Sequence, residues 1–202
     1  DIIEDEYLNI LSNEYIYNGA GVGVGDFNKD KLPDLFFCGS QTTNRLYLNE
    51  GNFRFKDISL PARVVERGYW STGVSVVDIN EDGWLDIYVC ASNHLNPEMR
   101  RNQLYIHEGL NHDGIPVFSE QALRFGIADE GYSTHAAFFD YDNDKDLDLY
   151  VLTNYLDTEK PNAYRPKKLD GTAPSNDRLY RNDGHNHFTN VTVEAGITYE
   201  GY

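Results

Sequence analysis

Three segments of this chain set side-chain oxygens at a spacing that suits a hard cation. Asp26 to Asp34, Asp78 to Asp86 and Asp140 to Asp148 each read D-x-[DN]-x-D-x-x-x-D, with starts 52 and 62 residues apart. Positions 1, 3, 5 and 9 of such a turn can converge, and carboxylate and amide oxygens without His or Cys favour calcium over zinc or copper. The expected side-chain ligands are Asp26, Asn28, Asp30 and Asp34, then Asp78, Asn80, Asp82 and Asp86, then Asp140, Asp142, Asp144 and Asp148. Position 7 would add the backbone carbonyls of Leu32, Trp84 and Asp146. Up to three Ca²⁺ ions are expected. An EF-hand is excluded, because its twelfth-position Glu is here Phe37, Val89 and Val151. Aspartates also decorate ordinary surface turns, but three loops in register favour the metal reading. Position 6 wants glycine for a sharp turn and is Lys31, Gly83 and Lys145, which predicts strain in the first and third loops.

The flanking sequence says what must hold these loops. Short β-rich runs bracket each one: Gly21 to Asp26 with Leu35 to Cys38, Val74 to Ile79 with Ile87 to Cys90, and Ala136 to Phe139 with Leu147 to Leu152. A third strand opens in phase at Asn44-Arg-Leu-Tyr47, Asn102-Gln-Leu-Tyr105 and Asp177-Arg-Leu-Tyr180, and a fourth follows at Phe53 to Ile58, Val117 to Ala122 and Phe188 to Val193. Four antiparallel strands per repeat predict an all-β fold, a β-propeller built of four-stranded blades. The expected organisation is a lead-in over 1–19, blades over 20–59, 70–122 and 132–195, and the opening of a further blade over 196–202. A closed ring needs at least about four blades, so a partial propeller is expected, its remaining blades following in the same longer chain or, as the alternative, supplied by partner chains.

Composition agrees with a folded, cation-attracting protein. The 202 residues are 40% hydrophobic, and 33 acidic against 17 basic residues give a formal charge of −16, which argues against a nucleic-acid partner. Twelve of the 33 acids lie in the three loops. No run of about 18 apolar residues suggests a transmembrane helix, and the first residues do not read as a signal peptide. Cys38 and Cys90 hold equivalent strand positions and are expected to be buried free thiols. His135, on a first strand, is expected to be packed, and Tyr47, Tyr105 and Tyr180 to be blade residues. Asn190-Val-Thr192 has the form of a glycosylation sequon but coincides with a fourth strand.

Gly-Val-Gly-Asp-Phe-Asn with Leu-Pro-Asp-Leu-Phe-Phe, and Asn-Arg-Leu-Tyr-Leu-Asn-Glu-Gly with Phe-Lys-Asp-Ile, resemble the FG-GAP or VCBS repeats of integrin α-chain, cartilage-acidic-protein-like and bacterial surface propellers. More narrowly, Asn9-Ile-Leu11, Tyr15 to Gly19 and Ser133 to Asp142 resemble the amino-terminal part of Bacteroidota surface lipoproteins with ASPIC/UnbV domains. The resemblance implies a calcium role for the loop residues, no catalytic residues, and a cell-surface or extracellular location. The narrower likeness implies an outer-membrane lipoprotein, its lipid anchor outside this chain.

Up-and-down strands put the metal loops on one face and the second turns and blade links on the other. That second face gathers Arg100, Arg101, Tyr155, Lys160, Tyr164, Arg165, Lys167 and Lys168, a set suited to a protein partner or an anionic glycan. The leading expectation is a non-enzymatic calcium-binding module for protein binding or assembly. The alternative is a glycan-binding, lectin-like or accessory module of polysaccharide uptake or degradation. A hydrolase or lyase would need an acid/base pair that the sequence does not offer outside the loops.

Overall fold

The computed structural model describes residues 2–4, 6, 9–11, 16–66, 68–94, 96–155 and 166–200. Twelve strands form three four-stranded antiparallel meanders. The first is β1 (Val22–Gly25), β2 (Asp34–Phe37), β3 (Arg45–Asn49) and β4 (Phe55–Asp57). The second is β5 (Trp70–Val77), β6 (Asp86–Ser92), β7 (Gln103–Leu110) and β8 (Pro116–Glu120). The third is β9 (Ser133–Phe139), β10 (Asp148–Thr153), β11 (Arg178–Asn182) and β12 (Phe188–Asn190). This is the blade pattern of a partial propeller. A single helical turn, α1 (Ala122–Phe125), follows β8 and ends on Gly126 at φ 80°. The expected fourth strands run long: the Val191 N–H to the Leu179 carbonyl is the last rung beside β12, and residues 192–196 form turns.

The blades stack on one another through two cores. Phe27, Phe36, Leu46, Ile58, Val74, Ile87, Tyr105 and Phe118 fill the space between the first and second blades. Tyr88, Cys90, Leu104, Phe125, Ile127, Leu149, Val151 and Phe188 fill that between the second and third. Burial follows: all seven residues of β6 are buried, whereas β2 and β10 alternate, leaving Phe37 and Leu152 exposed. A strand covered on both faces reads as a continuous apolar run, and one covered on a single face shows period two.

The innermost strands approach closely. Thr72 Oγ1 donates to the Ser133 carbonyl at 2.8 Å and Ser75 Oγ to the Ala136 carbonyl at 2.6 Å, tying β5 to β9. Gly73 permits this contact, because a Cβ there would overlap the Thr134 carbonyl. On β9, His135 is exposed rather than packed in a core, its ring lying along Gly73 of β5, where a Cβ would come within 2.9 Å of Nδ1. Cys38 is half-buried and Cys90 buried, and both are free thiols. Burial pushes the Cys38 thiol up to about 12.

Candidate metal sites

The three loops are the β1–β2, β5–β6 and β9–β10 turns. Aspartate oxygens shape them. Position 1 receives two backbone N–H groups: Asp26 from Asp30 and Lys31 at 3.1 and 2.8 Å, Asp78 from Asp82 and Gly83 at 3.1 and 2.8 Å, Asp140 from Asn143 and Lys145 at 2.6 and 3.1 Å. Position 5 accepts the position-7 N–H: Asp30 from Leu32, Asp82 from Trp84 and Asp144 from Asp146, at 2.8, 2.8 and 3.1 Å. Curling the backbone around these carboxylates drives positions 4 and 6 into the left-handed region. Lys29 and Lys31 lie at φ 60° and 73°, Glu81 and Gly83 at 57° and 84°, Asn143 and Lys145 at 65° and 84°. The strain expected at Lys31 and Lys145 is therefore present.

Position 9 joins each loop to its sheet. Asp34, Asp86 and Asp148 are fully buried. One oxygen of each accepts the position-2 N–H, from Phe27, Ile79 and Tyr141 at 2.9, 3.1 and 3.0 Å. The other accepts an N–H of the third strand, from Asn49, His107 and Asn182 at 2.9, 2.8 and 2.9 Å. Burial raises all three carboxyls above the ordinary range, Asp86 to about 7, against the lowering effect of those N–H bonds. A cation beside them would reverse that penalty on the charged form.

The third loop has the most convergent oxygens. One carboxylate oxygen from each of Asp140, Asp142 and Asp148 lies within 4.8 Å of the others. Asp146 Oδ1 is buried without a hydrogen-bond donor. Burial and then the Asp144 charge push Asp146 up to about 6. In the first two loops position 3 is an amide, and Asn28 and Asn80 donate to Asp30 and Asp82 Oδ2 at 2.9 and 3.0 Å. An all-oxygen donor set with an undonated buried oxygen fits a hard divalent cation.

The second loop has a feature that sequence reading missed. Asn49, His107 and Asn182 hold the same column, and each side chain accepts the N–H two residues on, from Gly51, Gly109 and Gly184, at 2.9, 2.8 and 3.0 Å. The asparagines turn their amide N–H back to their own loops, to the Pro33 and Leu147 carbonyls. His107 instead crosses to the first blade, its Nε2 lying 2.9 Å from the Phe27 carbonyl. With Nδ1 accepting from Gly109, Nε2 carries the proton and the ring is neutral. Burial lowers its pKa. Trp84 stacks on the His107 ring at 4.5 Å, and Lys29 Nζ sits 3.6 Å over Trp84. Hydrogen bonds thus run from Asp34 through Phe27 and His107 to Asp86. The signal was available: histidine stands where the other two repeats have asparagine.

On the opposite face the described members of the basic set have separate surroundings. Arg100 is buried, its guanidinium donating to the His94 and Glu130 carbonyls and lying 4.1 Å from the Tyr132 ring centre, so it braces the link into the third blade. Arg101 pairs with Glu130 at 2.6 Å. Tyr155 lies against Tyr132, ring centres 4.5 Å apart. Lys167 and Lys168 are exposed, whereas Lys160, Tyr164 and Arg165 fall outside the described residues.

Residues 12–89 match the family described as FG-GAP-like repeat, in keeping with four-stranded blades whose first turns are rich in oxygen donors. The chain is similar to cartilage acidic protein 1 of Mus musculus, 30% identical over 135 residues that cover 65% of this chain and 19% of that protein. The Xenopus tropicalis counterpart is 28% identical over 154 residues, covering 76% and 22%, and that of Homo sapiens 28% over 137 residues, covering 66% and 20%. The chain spans about a fifth of the length of these relatives. Among the described residues, no helix is long and apolar enough to cross a membrane.

Proposed function

We propose that this chain is a calcium-stabilised, non-enzymatic module that supports protein binding or assembly outside the cell. The observation that carries the reading is the third loop, where Asp140, Asp142 and Asp148 bring carboxylate oxygens within 4.8 Å of one another. Like charges held that close repel one another, a cost that a cation between them would offset. Calcium would be held by the position 1, 3, 5 and 9 side chains of each loop with the position-7 carbonyl, Asp146 adding a carboxylate in the third. Bound there, it would neutralise these acids and fix the first hairpin of each blade. Extracellular modules bind calcium with Kd values on the order of 10⁻⁴ to 10⁻³ M, matched to an extracellular supply. Surface attachment through a lipidated cysteine elsewhere in the protein belongs to the same reading, and partners would meet the face opposite the loops, where Lys167 and Lys168 lie.

The test is calorimetric titration of the EDTA-treated chain with calcium, repeated on Asp142→Asn and Asp148→Asn. Up to three binding events are expected, one of them lost in either variant. A chain that takes up no calcium, or a variant with unchanged stoichiometry and affinity, would refute the assignment.

A further inference from the structure

On the face opposite the metal loops, a cleft of about 720 Å³ opens between the first and second blades. Its walls come from the β2–β3 turn, which carries Gln41 and Thr42, and from the link into β5 with Tyr69 and Trp70; Asn93 and His94 close the far side. The cleft therefore combines aromatic surface with amide, hydroxyl and imidazole groups, the mixture that orients a ligand while burying part of it.

A segment of the chain already shows how it is used. Ile3, in a segment without regular structure, lies at the cleft, and the Gln41 amide takes both of its backbone groups. The Ile3 N–H donates to Gln41 Oε1 at 2.6 Å, and Gln41 Nε2 donates to the Ile3 carbonyl at 2.8 Å. The next residue is tethered by Tyr17, whose hydroxyl donates to Glu4 Oε1 at 2.6 Å. One amide side chain reading the N–H and C=O of one residue recognises main chain, as a sheet edge does, and is indifferent to the residue's identity. The Ile3 side chain meanwhile stays 74% exposed. Ile3 is thus held by its backbone bonds, while Tyr69 and Trp70 are only half-buried.

We propose that this cleft receives an extended peptide segment of a partner protein, its main chain paired with Gln41 and an apolar side chain against Tyr69 and Trp70, and that residues 2–4 occupy it in cis until displaced. The proposal extends the interaction-module reading by naming the partner's chemistry and place, and it does not depend on calcium.

The experiment uses the full chain and a fluorescein-labelled peptide of sequence Asp-Ile-Ile-Glu-Asp-Glu, with anisotropy as readout in calcium and in EDTA. Ile3→Pro removes the N–H that Gln41 accepts and so frees the cleft. The peptide is expected to bind this variant at least 10-fold more tightly than wild type, to lose binding when its third residue is N-methylated, and to lose it when Gln41→Ala is added. Hydrogen exchange gives a second measure: the Ile3 amide should be protected in wild type and unprotected in Gln41→Ala, whose substituted side chain is exposed. Equal binding of the N-methylated peptide, no binding to Ile3→Pro, or capture of a maltohexaose probe in place of the peptide would each overturn the proposal. A chain that binds calcium but no peptide refutes this inference alone, and one that binds peptide but takes up no calcium refutes the calcium reading alone.

Discussion

Replacing Asp86 by Asn separates what the position-9 carboxylate does with a cation from what it does without one. Its two oxygens accept the Ile79 and His107 N–H groups, and an amide keeps only one acceptor, so one N–H would face a donor. Losing a hydrogen bond to a charged group costs about 1.5–3 kcal/mol. In calcium at a hundredfold excess over Kd, the lost site removes about another 2.7 kcal/mol. The variant should therefore be weaker by about 4–6 kcal/mol, or about 8–24 °C in Tm at about 2–4 °C per kcal/mol for a chain of this size. In EDTA the sign of the carboxylate's contribution changes. Asp86 is raised to about 7 by burial from an ordinary 3.8, so the folded chain holds a proton that the unfolded chain releases, and stability falls as pH climbs through that window. At 1.36 kcal/mol per pH unit the ceiling is about 4 kcal/mol above pH 7, a cost that Asn escapes. Thermal unfolding followed by circular dichroism, with calcium and with EDTA from about pH 5 to about pH 8, checks both arms. The gap between variant and wild type should be wide in calcium and should narrow in EDTA as pH rises. A gap that ignores both calcium and pH would refute the reasoning.

Three further outcomes follow from the same geometry. Lys31→Gly and Lys145→Gly relieve left-handed backbone and should each stabilise by about 0.5–1 kcal/mol in urea unfolding, while Gly83→Ala, with space for its Cβ but φ at 84°, should destabilise by about 1 kcal/mol. His107→Asn swaps in the residue of the other two repeats and should preserve the Asp86 bond while detaching the first blade, seen as faster exchange in 26–34 and a loss of about 1 kcal/mol. That loss should shrink below about pH 6.5, because the lowered histidine stabilises the fold above its unfolded value and less as pH falls. Tyr88→Phe deletes a buried hydroxyl that donates to Ile127 and accepts from Asn102, and should cost about 1–3 kcal/mol by denaturant titration.

The blades and the loop positions were legible because they repeat. An aspartate at positions 1, 5 and 9 of three segments fixes the first hairpin of each blade, and the Asn or Asp that opens each third strand fixes the second, Asn44, Asn102 and Asp177 accepting the N–H groups of Gly39, Ala91 and Thr153. What did not repeat was misread or missed. Arg100 counted as surface charge, because sequence spacing does not show that Tyr132 from the next blade would cover it. His135 looked like a core residue because its strand is innermost, yet exposure depends on which face a neighbour covers. The pairing of Gln41 with Ile3 spans 38 residues and uses a polar turn that carries no periodic signal.

The complete burial of β6 has a consequence for how the middle blade finds its alignment. Alternation of apolar and polar residues ordinarily sets strand register, since a one-residue slip would throw the wrong face into water. In Asp86–Ser92 every position is buried, so a slip would carry no such penalty. Alignment must come from polar pins at its two ends: Asp86 accepting the His107 N–H, and the Asn102 side chain accepting the Ala91 N–H. The aspartate that closes the first turn of the blade is then also an index mark for the sheet. Errors at that position would appear as blades of intact composition, paired out of step.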